Sequence, residues 1–407
     1  MHVLDELTAR GFIEQASDLE ALRARMDDGP IVFYTGFDPT ANSLHVGHLV
    51  PVLMMAHLQR AGHVPIAVVG GGTGMVGDPS GKTEARQLLD EAAIDANLQA
   101  QKGQLQRFLT IDGSAGHMVN NGEWLLGLNY IAFLRDIGAC FSVNRMLAAE
   151  GYKIRLERGL SFIEFNYQLL QAYDFLELNK RYGCQLQLGG NDQWGNILAG
   201  VDLVRRKAQT TVWGLTTPLL TTASGAKMGK TAGGAVWLSA ERFKPFDFYQ
   251  YWVNVDDADV GRFLKLFTFL DLATCEELGA LQGADIRRAK ARLAWEVTAL
   301  VHGKEQADRA RDGAKAMVAG AAAADLPTHT VSRAALEEGV PIYVALAEAK
   351  LTSSRSDARR MVKGGAVRMG QVKVHDAELR LTVENVPDDG LVLRVGKKRA
   401  VRLLVQD

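Results

Sequence analysis

Short apolar runs that alternate with helical patterns dominate the first half of this chain. Residues 31–34 (IVFY) and 66–69 (IAVV) are β-branched or aromatic, whereas residues 46–61 repeat apolar side chains at helical spacing. This alternation is typical of a parallel sheet whose strands are connected by helices. We therefore predict a doubly wound, Rossmann-like α/β domain, with ligands bound where loops leave the carboxyl ends of its strands.

The rest of the chain indicates further domains, and 407 residues that are 47% hydrophobic can form two or three. Helical spacing returns from about Phe246 to Met317 and is lost in AGAAAADLPTHTV, which is typical of a linker. We predict a catalytic domain over residues 1–222 and a mobile loop with a helical domain over 223–317. A linker over 318–335 and a small α+β domain over 336–407 would follow.

Charge and cysteine content limit the cellular setting. The formal net charge is −1, so any contact with RNA must be local, and no DNA partner is expected. The three cysteines lack metal-ligand spacing and fit a reducing compartment. No run approaches the roughly 18 apolar residues that a membrane span needs. We expect a cytoplasmic protein with no membrane partner and no protein-bound metal.

The last residues are locally basic. Residues 341–407 hold thirteen Lys or Arg against eight Asp or Glu. The predicted helix SRSDARRMVK places Arg355, Arg359 and Lys363 on one face, ahead of the strand-turn-strand pattern AVRMGQVKVHD. On charge alone this face is either an RNA contact or an ordinary solvated surface.

Two glycine motifs match common nucleotide fingerprints only in part. Gly72, Gly74 and Gly77 fit GxGxxG, but Pro79 opposes the helix that a dinucleotide site requires. The stretch GDPSGKT resembles a P-loop, yet Val76 occupies the position of its first glycine. We interpret the segment as a glycine-rich loop that allows close approach to a ligand, or as a simple turn.

Two histidines flank a glycine where a loop enters a helix. In FDPTANSLHVGHLVPV, His45 and His48 stand around Gly47, where backbone N–H groups and the helix dipole favour an anion. Taken alone, the pair could also be zinc ligands or surface histidines.

Two lysines lie in a run of small, turn-forming residues. TTASGAKMGKTAGG carries Lys227 and Lys230, and such a segment is either a cationic loop that closes over a triphosphate or a solvated linker.

Together, HVGH and KMGKT resemble the paired HIGH and KMSKS signatures of the class I aminoacyl-tRNA synthetases, in the same order and widely separated. Gly229 replaces the central serine of the second signature, and both lysines remain. The segments YTGFDPTANSLHVGH, GDPSGKT, SFIEFNYQLLQAYDFLEL and LGGNDQWGN closely resemble the bacterial tyrosyl-tRNA synthetases across almost the whole chain.

The resemblance implies a role for each matching residue. Tyr34 and Asp174 would bind the phenolic hydroxyl of tyrosine, and Gln193 would hold its carboxyl side. An acid, a hydroxyl and an amide would bind the ammonium group: Asp78, Tyr167 and Gln171. The residues implied around ATP are Gly36, Asp38, His45, Gly47, His48, Gly190, Asp192 and Lys230. Those implied in catalysis at the phosphates are Thr40, His45, His48, Lys82, Arg86, Lys227 and Lys230.

The same resemblance implies the reaction and its partners. Tyrosine would attack ATP to give tyrosyl-adenylate and pyrophosphate, with Mg²⁺ arriving on ATP, and tRNA(Tyr) would then accept the tyrosine. The tail resembles the alpha-L RNA-binding motif, which favours tRNA contacts at Arg355, Arg359 and Lys363; Arg205 and Arg206 match a cluster near the acceptor stem. FLRDIGACFSVNRML resembles a dimer interface, so we expect a homodimer.

Three alternatives remain open from the sequence. An RNA-binding or splicing factor built on the synthetase fold would lack the catalytic activity. A tryptophan-activating enzyme or an NAD oxidoreductase would use a different substrate pocket.

Overall fold

The computed structural model describes residues 1–407 except 81–90, 149, 158, 224, 226, 227, 232, 233, 320–325, 371, 388, 389, 397, 398 and 407. Contacts divide the chain into two compact units. The first contains Met1–Lys244 and Val253–Val301, and the second contains Pro245–Trp252 and His302–Asp407.

Strands and helices alternate through the first unit, as predicted. The strands are β1 (Gln15–Ala16), β2 (Val32–Phe37), β3 (Val64–Val69), β4 (His117–Asn120), β5 (Cys184–Gly190), β6 (Trp213–Thr217), β7 (Lys230–Thr231) and β8 (Gly234–Ala235). The helices up to β6 are α1 (Val3–Arg10), α2 (Leu19–Asp27), α3 (Leu49–Arg60), α4 (Glu91–Leu105), α5 (Gly122–Leu125), α6 (Tyr130–Asp136), α7 (Val143–Ala148), α8 (Glu150–Leu156), α9 (Phe162–Tyr182) and α10 (Trp194–Ala208).

Six strands form one sheet in the order β1-β6-β5-β2-β3-β4. Only β1 runs antiparallel to its neighbour, and the other five strands are parallel. From β2 the chain adds β3 and β4 on one side, and β5 and β6 on the other. The point between β2 and β5 is therefore the topological switch point, where ligands bind in such sheets.

A hydrophobic core joins this sheet to the helices that follow it. Val68 of β3 packs in one buried cluster with Phe175 of α9 and Leu203 of α10. Strand β2 is buried along almost its whole length, as expected for a parallel strand covered on both faces.

Helices dominate the segment for which a helical domain was predicted. They are α11 (Pro245–Val253), α12 (Val260–Phe267), α13 (Leu272–Gly279), α14 (Ile286–His302) and α15 (Lys304–Ala319). Of this segment, residues 223–244 and Val253–Val301 belong to the first unit, and Pro245–Trp252 with the residues from His302 onward belong to the second. The domain boundaries drawn from the sequence stay a prediction.

The second unit contains a five-stranded sheet in the order β12-β11-β14-β15-β9. Its elements are β9 (Thr328–Ser332), α16 (Arg333–Glu338), β10 (Val340–Pro341), α17 (Ile342–Glu348), α18 (Arg355–Lys363), β11 (Val367–Met369), β12 (Val372–Val374), β13 (Arg380–Leu381), β14 (Leu391–Val395) and β15 (Arg399–Gln406). One face of the sheet packs against α17 and α18 through Leu346, Val362 and Leu393.

One difference from the sequence prediction concerns the linker over 318–335. Thr328–Ser332 is a strand that pairs in parallel with Arg402–Gln406, so these residues belong to the C-terminal sheet. Small residues and a proline upstream hid the short alternating pattern THTVS, whose partner lies about seventy residues further along the chain.

Candidate active site

A cavity of about 380 Å³ opens at the switch point, bordered by the carboxyl ends of β2 and β5. Residues predicted from several distant segments of the chain meet around it. They are Tyr34, Gly36, Asp38, Thr40, His45, Gly47, His48, Asp78, Tyr167, Gln171, Asp174, Gly190, Asp192 and Gln193.

Helix α9 carries three of these side chains into the cavity. The helix begins with a capping box, in which Ser161 Oγ accepts from the Glu164 N–H and the Glu164 carboxylate accepts from the Ser161 N–H. It ends at Gly183, whose φ of 64° suits glycine. Both ends are thus fixed by local sequence, which sets the face that presents Tyr167, Gln171 and Asp174.

Asp174 is the acceptor at the closed end of the cavity. Its two oxygens accept from Asn121 Nδ2 at 2.9 Å and Trp124 Nε1 at 2.7 Å. The buried hydroxyl of Tyr34 has no hydrogen-bond partner among the described residues. Leaving a buried polar group unsatisfied costs about 1–3 kcal/mol. A ligand hydroxyl bound at this end would provide the missing partner of Tyr34 and could donate to Asp174.

Asp78 forms a second polar cluster. Its carboxylate accepts from Gln193 Nε2 at 2.7 Å and from the Ser80 N–H at 2.9 Å. Asn196 Nδ2 lies within hydrogen-bonding distance of Gln193 Oε1 and Gln171 Oε1, both at 3.1 Å. These amides fix one another's orientation and leave a carboxylate and a carbonyl oxygen as acceptors for a cation.

Burial makes both cavity carboxyls hard to ionise. It raises the pKa of Asp174 to about 7, although hydrogen bonds from Asn121 and Trp124 act in the opposite direction. Burial, with a smaller contribution from the charge of Asp38, raises the pKa of Asp78 to about 6. A bound cation beside Asp78 would favour its charged form.

These pKa shifts predict how the stability of the ligand-free protein depends on pH. Both carboxyls ionise with a pKa near 3.8 when unfolded, so the folded chain binds more protons between about pH 4 and pH 7. The free energy of unfolding contributed by these groups therefore falls as pH rises through that window. Urea unfolding from pH 4 to 7 measures it, with the Asp78→Asn/Asp174→Asn double variant as comparison. An equal slope in the double variant would contradict the prediction.

The HVGH segment forms a short helical turn, Val46–His48, directly before α3. His45 Nδ1 accepts from the Gly47 N–H at 3.0 Å, and His48 Nδ1 accepts from the His45 N–H at 3.1 Å. Because Nδ1 accepts in both rings, the neutral imidazoles carry their proton on Nε2 and can donate from it. A side chain at Gly47 would lie 2.8 Å from the His45 ring, so glycine is required for this arrangement.

The glycine-rich loop after β3 has a structural reason for its composition. A Cβ at Gly71 would lie 2.0 Å from Asn120 Oδ1, and one at Gly72 would lie 2.9 Å from Leu125. Asn121 Oδ1 accepts from the Gly72 N–H at 2.8 Å. These two glycines let the loop pack against the end of β4. Asp78 and Ser80, further along the same segment, line the cavity, and the close approach of the segment to a ligand stays a prediction.

The KMGKT segment contacts HVGH through described residues. Gly229 has a φ of 82°, in the left-handed region, so glycine fits where the related signature has serine. A Cβ at Gly229 would lie 3.4 Å from Gly47 N. The Gly229 C=O accepts from the Val236 N–H at 2.8 Å, and the Val236 C=O accepts from the Val46 N–H at 2.9 Å.

Four predicted cationic side chains lie outside the part of the chain that the structure describes. Lys82, Arg86 and Lys227 are outside the described residues altogether. The backbone of Lys230 begins strand β7, whereas its side chain is outside the described part.

None of the residues predicted to contact tRNA is part of the cavity lining. Arg205 and Arg206 are exposed near the end of α10, and both pair with Asp202. Arg355, Arg359 and Lys363 share the exposed side of α18. Arg355 pairs with Glu348, whereas Arg359 pairs with Glu378 and lies 3.8 Å from the Tyr343 ring.

Sequence reasoning missed the side chains that support the predicted ones. Asn121 and Trp124 hold Asp174, and Asn196 connects the amides beside Asp78. Asn196 ends the motif LGGNDQWGN and could have been included with it. Asn121 follows strand β4 at the same carboxyl edge of the sheet, which is the signal that could have identified it.

The described residues contain neither a metal-binding cluster nor a membrane-spanning helix. No group of three or more His, Cys, Asp or Glu side chains among them is arranged to hold a metal ion. Within the same residues, no helix combines the length and the apolar character needed to cross a membrane.

Two family models together match most of the chain. The model for tRNA synthetases class I (W and Y) matches residues 26–319, and the model for the tyrosine–tRNA ligase SYY-like C-terminal domain matches residues 319–402.

Curated relatives match over their full length. A tyrosine–tRNA ligase from Clostridium beijerinckii is 50% identical over 398 residues, which is 98% of each chain. One from Desulfosudis oleivorans is 49% identical and covers 100% of this chain and 99% of its own.

Solved structures agree with these matches. A C-terminally truncated mitochondrial tyrosyl-tRNA synthetase from Aspergillus nidulans is 33% identical with a TM-score of 0.68, over 76% of this chain and 92% of that one. The corresponding protein from Coccidioides posadasii is 32% identical with a TM-score of 0.66, over 76% of this chain and 91% of that one. The predicted Rossmann-like fold class is thereby confirmed, and the chain belongs to the tyrosine–tRNA ligase family of class I tRNA synthetases.

Proposed function

We propose that this chain activates L-tyrosine with ATP and transfers it to the 3′-terminal adenosine of tRNA(Tyr). The observation that carries the proposal is the closed end of the cavity. There the Tyr34 hydroxyl, which has no hydrogen-bond partner among the described residues, lies at the same site as the Asp174 carboxylate. A non-catalytic RNA-binding factor is disfavoured because full-length relatives at about 50% identity are named as ligases.

The phenolic hydroxyl of tyrosine would bind between Tyr34 and Asp174. It donates to Asp174, which has acceptor capacity beyond its bonds to Asn121 and Trp124, and it accepts a hydrogen bond from the Tyr34 hydroxyl. Phenylalanine leaves both groups desolvated and unpaired, and tryptophan offers a larger ring with its N–H elsewhere. This is the physical basis for selecting tyrosine.

The amino-acid end would bind at the second polar cluster. The ammonium group of tyrosine has three donors, which Asp78, Tyr167 and Gln171 can accept. Gln193 Nε2 donates one hydrogen to Asp78, and its second hydrogen is suited to the substrate carboxylate. Asp78 would thus hold both the ammonium group and the amide that orients the nucleophilic carboxylate.

ATP would occupy the side of the cavity next to HVGH. Gly36 leaves open space in front of β2, and Gly190 with Asp192 would contact the adenosine and its ribose hydroxyls. His45 and His48 donate from Nε2 to phosphate oxygens, close to the N-terminus of α3. Thr40, Lys82, Arg86, Lys227 and Lys230 complete the set that stabilises charge on pyrophosphate as it leaves, and Mg²⁺ comes with ATP.

No protein nucleophile takes part in this chemistry. The tyrosine carboxylate attacks the α-phosphorus, the bond to pyrophosphate breaks, and the ribose hydroxyl of the tRNA later displaces AMP. Catalysis consists of positioning two substrates at the switch point and stabilising the phosphates.

ATP–pyrophosphate exchange with each of the twenty amino acids tests the activation step. We expect exchange with tyrosine and none with phenylalanine or tryptophan. Tyr34→Phe should retain exchange but lower the preference for tyrosine over phenylalanine roughly three- to tenfold, since it removes one neutral hydrogen bond. Tyr249→Phe, a buried tyrosine of the second unit, is the matched control. Absence of exchange with every amino acid would overturn the proposal.

We also propose that the enzyme is a cytoplasmic homodimer. Eight of the eleven large apolar side chains that are exposed among the described residues fall between Leu126 and Leu198, including Tyr130, Ile131, Val143 and Phe162. Val143 lies within the segment that resembles a dimer interface, and Tyr130 and Ile131 lie just before it. Such a concentration is unusual for a solvated surface and suits a self-complementary contact.

Light scattering tests the dimer. We expect a mass near twice the chain mass of 44.3 kDa, falling to a single chain for Ile131→Asp, because a charge at this site would be buried unpaired. Val372→Asp is the control, because Val372 lies in the second unit and its exposed fraction, 65%, is close to the 70% of Ile131. A monomeric wild-type protein would refute the proposal.

A further inference from the structure

Asp259 stands at the N-cap of α12 without capping that helix. Aspartate is among the preferred residues at this position because its carboxylate usually accepts from the N–H groups of the first turn. Here the side chain accepts no hydrogen bond from the backbone N–H groups of its own helix. The preceding turn is capped by another residue, Asp256, whose Oδ1 accepts from the Ala258 N–H at 3.0 Å.

The Asp259 carboxylate is instead directed at the segment that carries the two lysines. Asp259 Oδ2 accepts from the Ala223 N–H at 2.9 Å. Arg262, one turn along α12, donates to Asp259 Oδ1 at 2.9 Å and also to the C=O of Thr221. The pair therefore holds two backbone groups at the start of TTASGAKMGKTAGG.

The burial of Asp259 indicates that this arrangement is specified. Only 3% of its surface is exposed, and a buried carboxylate is costly unless it is paired and hydrogen-bonded. Both of its oxygens are engaged, one by a backbone N–H and one by a guanidinium group. Removing the carboxylate would leave the Ala223 N–H without its acceptor.

The described backbone connects the Asp259–Arg262 pair to HVGH. Met228 N–H donates to the Leu220 C=O at 3.0 Å, which closes the segment just before Gly229. Gly229 in turn packs against Gly47. A shift at Thr221 and Ala223 would therefore move Met228 and Gly229, and with them the contact to Gly47 between the two histidines. Errors of about 1 Å at such sites can lower a rate by as much as a hundredfold.

We propose that Asp259, with Arg262, is a positioning residue that sets the place of the lysine-bearing segment during activation of the amino acid. The inference rests on the proposed function, because it assigns these residues to the ATP-dependent step. Neither residue lines the cavity, so neither touches the substrates.

Asp259→Ala tests the proposal by separating rate from binding. We expect single-turnover formation of tyrosyl-adenylate to slow about tenfold, while the dissociation constant of tyrosine changes less than about twofold. Asp259→Asn should recover most of the rate, since its amide oxygen can still accept from the Ala223 N–H. Asp271→Ala is the matched control: Asp271 caps the next helix, α13, through the Thr274 N–H, and it bonds to none of the described residues of the segment.

The outcomes distinguish a positioning role of Asp259 and Arg262 from a general loss of fold stability. The proposal would be overturned if Asp259→Ala formed tyrosyl-adenylate at the wild-type rate, or if Asp271→Ala lost as much rate as Asp259→Ala. It would also be overturned if Asp259→Ala weakened tyrosine binding by the same factor as it slowed the reaction. If Asp259→Ala does not unfold cooperatively, Arg262→Ala tests the proposal instead, because the Arg262 side chain is partly exposed. For Arg262→Ala we expect the rate of adenylate formation to fall about threefold while the affinity for tyrosine is kept. A wild-type rate in Arg262→Ala would then overturn the inference. No exchange in the wild type would remove the proposed function itself, whereas an active wild type with unaffected variants would remove only this inference.

Discussion

Replacing Lys230 by alanine is expected to slow tyrosyl-adenylate formation by about a hundredfold or more while leaving the affinity for tyrosine unchanged. The lysine belongs to a segment that contacts HVGH through Gly229 and Gly47, and we propose that its charge stabilises the phosphates as pyrophosphate leaves. Tyrosine would bind at the other end of the cavity, between Tyr34 and Asp78, and should not sense the change.

A burst of pyrophosphate release measured under single-turnover conditions checks this result, alongside equilibrium binding of tyrosine. Lys244→Ala is a suitable control because Lys244 is an exposed lysine outside the segment. Lys230→Arg keeps the charge and should retain more activity than alanine. An unchanged burst in Lys230→Ala would show that the segment does not act on the phosphates.

Removal of residues 326–407 is expected to abolish tRNA charging while leaving ATP–pyrophosphate exchange largely intact. The cavity and its lining residues belong to the first unit, whereas strands β9 to β15 belong to the second. The cut must precede β9, because Thr328–Ser332 pairs with β15 and would otherwise remain as a single unpaired strand.

A substitution that keeps the fold makes the same test sharper. Arg355, Arg359 and Lys363 are exposed on α18, so the triple alanine variant should raise the KM for tRNA. Its binding should also depend less on salt, by about 0.7 in log–log slope for each RNA phosphate that the variant no longer neutralises. Exchange should be unaffected. Unfolding experiments would control for the removal of the Arg359 interactions with Glu378 and Tyr343. Loss of exchange in the deletion would mean that the second unit supports the first structurally.

The agreement between sequence and structure is closest where a local pattern carries the information. Helix α9 begins and ends at residues with clear cap chemistry, and spacing alone places Tyr167, Gln171 and Asp174 on one face. Composition predicts the strands β2 and β3 and ligand binding at their carboxyl ends, whereas the switch point between β2 and β5 comes from the sheet order. The roles of the cavity residues still rest on family resemblance and stay predictions.

Disagreements occur where a partner lies far along the chain. Strand β9 looked like a linker because its pairing partner, β15, is remote in sequence. Asp259 would be assigned as a helix cap by local rules, yet its carboxylate bonds to Ala223. Gly72 belongs to the partial nucleotide fingerprint after β3, and a side chain there would meet Leu125, which lies far along the chain.

The sequence by itself therefore determined the alternation of strands and helices, the ends of α9 and the identity of the chemical groups, because these depend on residues close together in the chain. Only the tertiary structure decided which groups meet. The burial of the Tyr34 hydroxyl with no partner in the described part of the chain depends on the tertiary structure. The same holds for the bonds from Asn121 and Trp124 to Asp174 and for the raised pKa of that carboxyl, which depend on contacts between residues far apart in sequence. Desolvation and hydrogen bonding act over a few ångströms in space, whatever the distance along the chain.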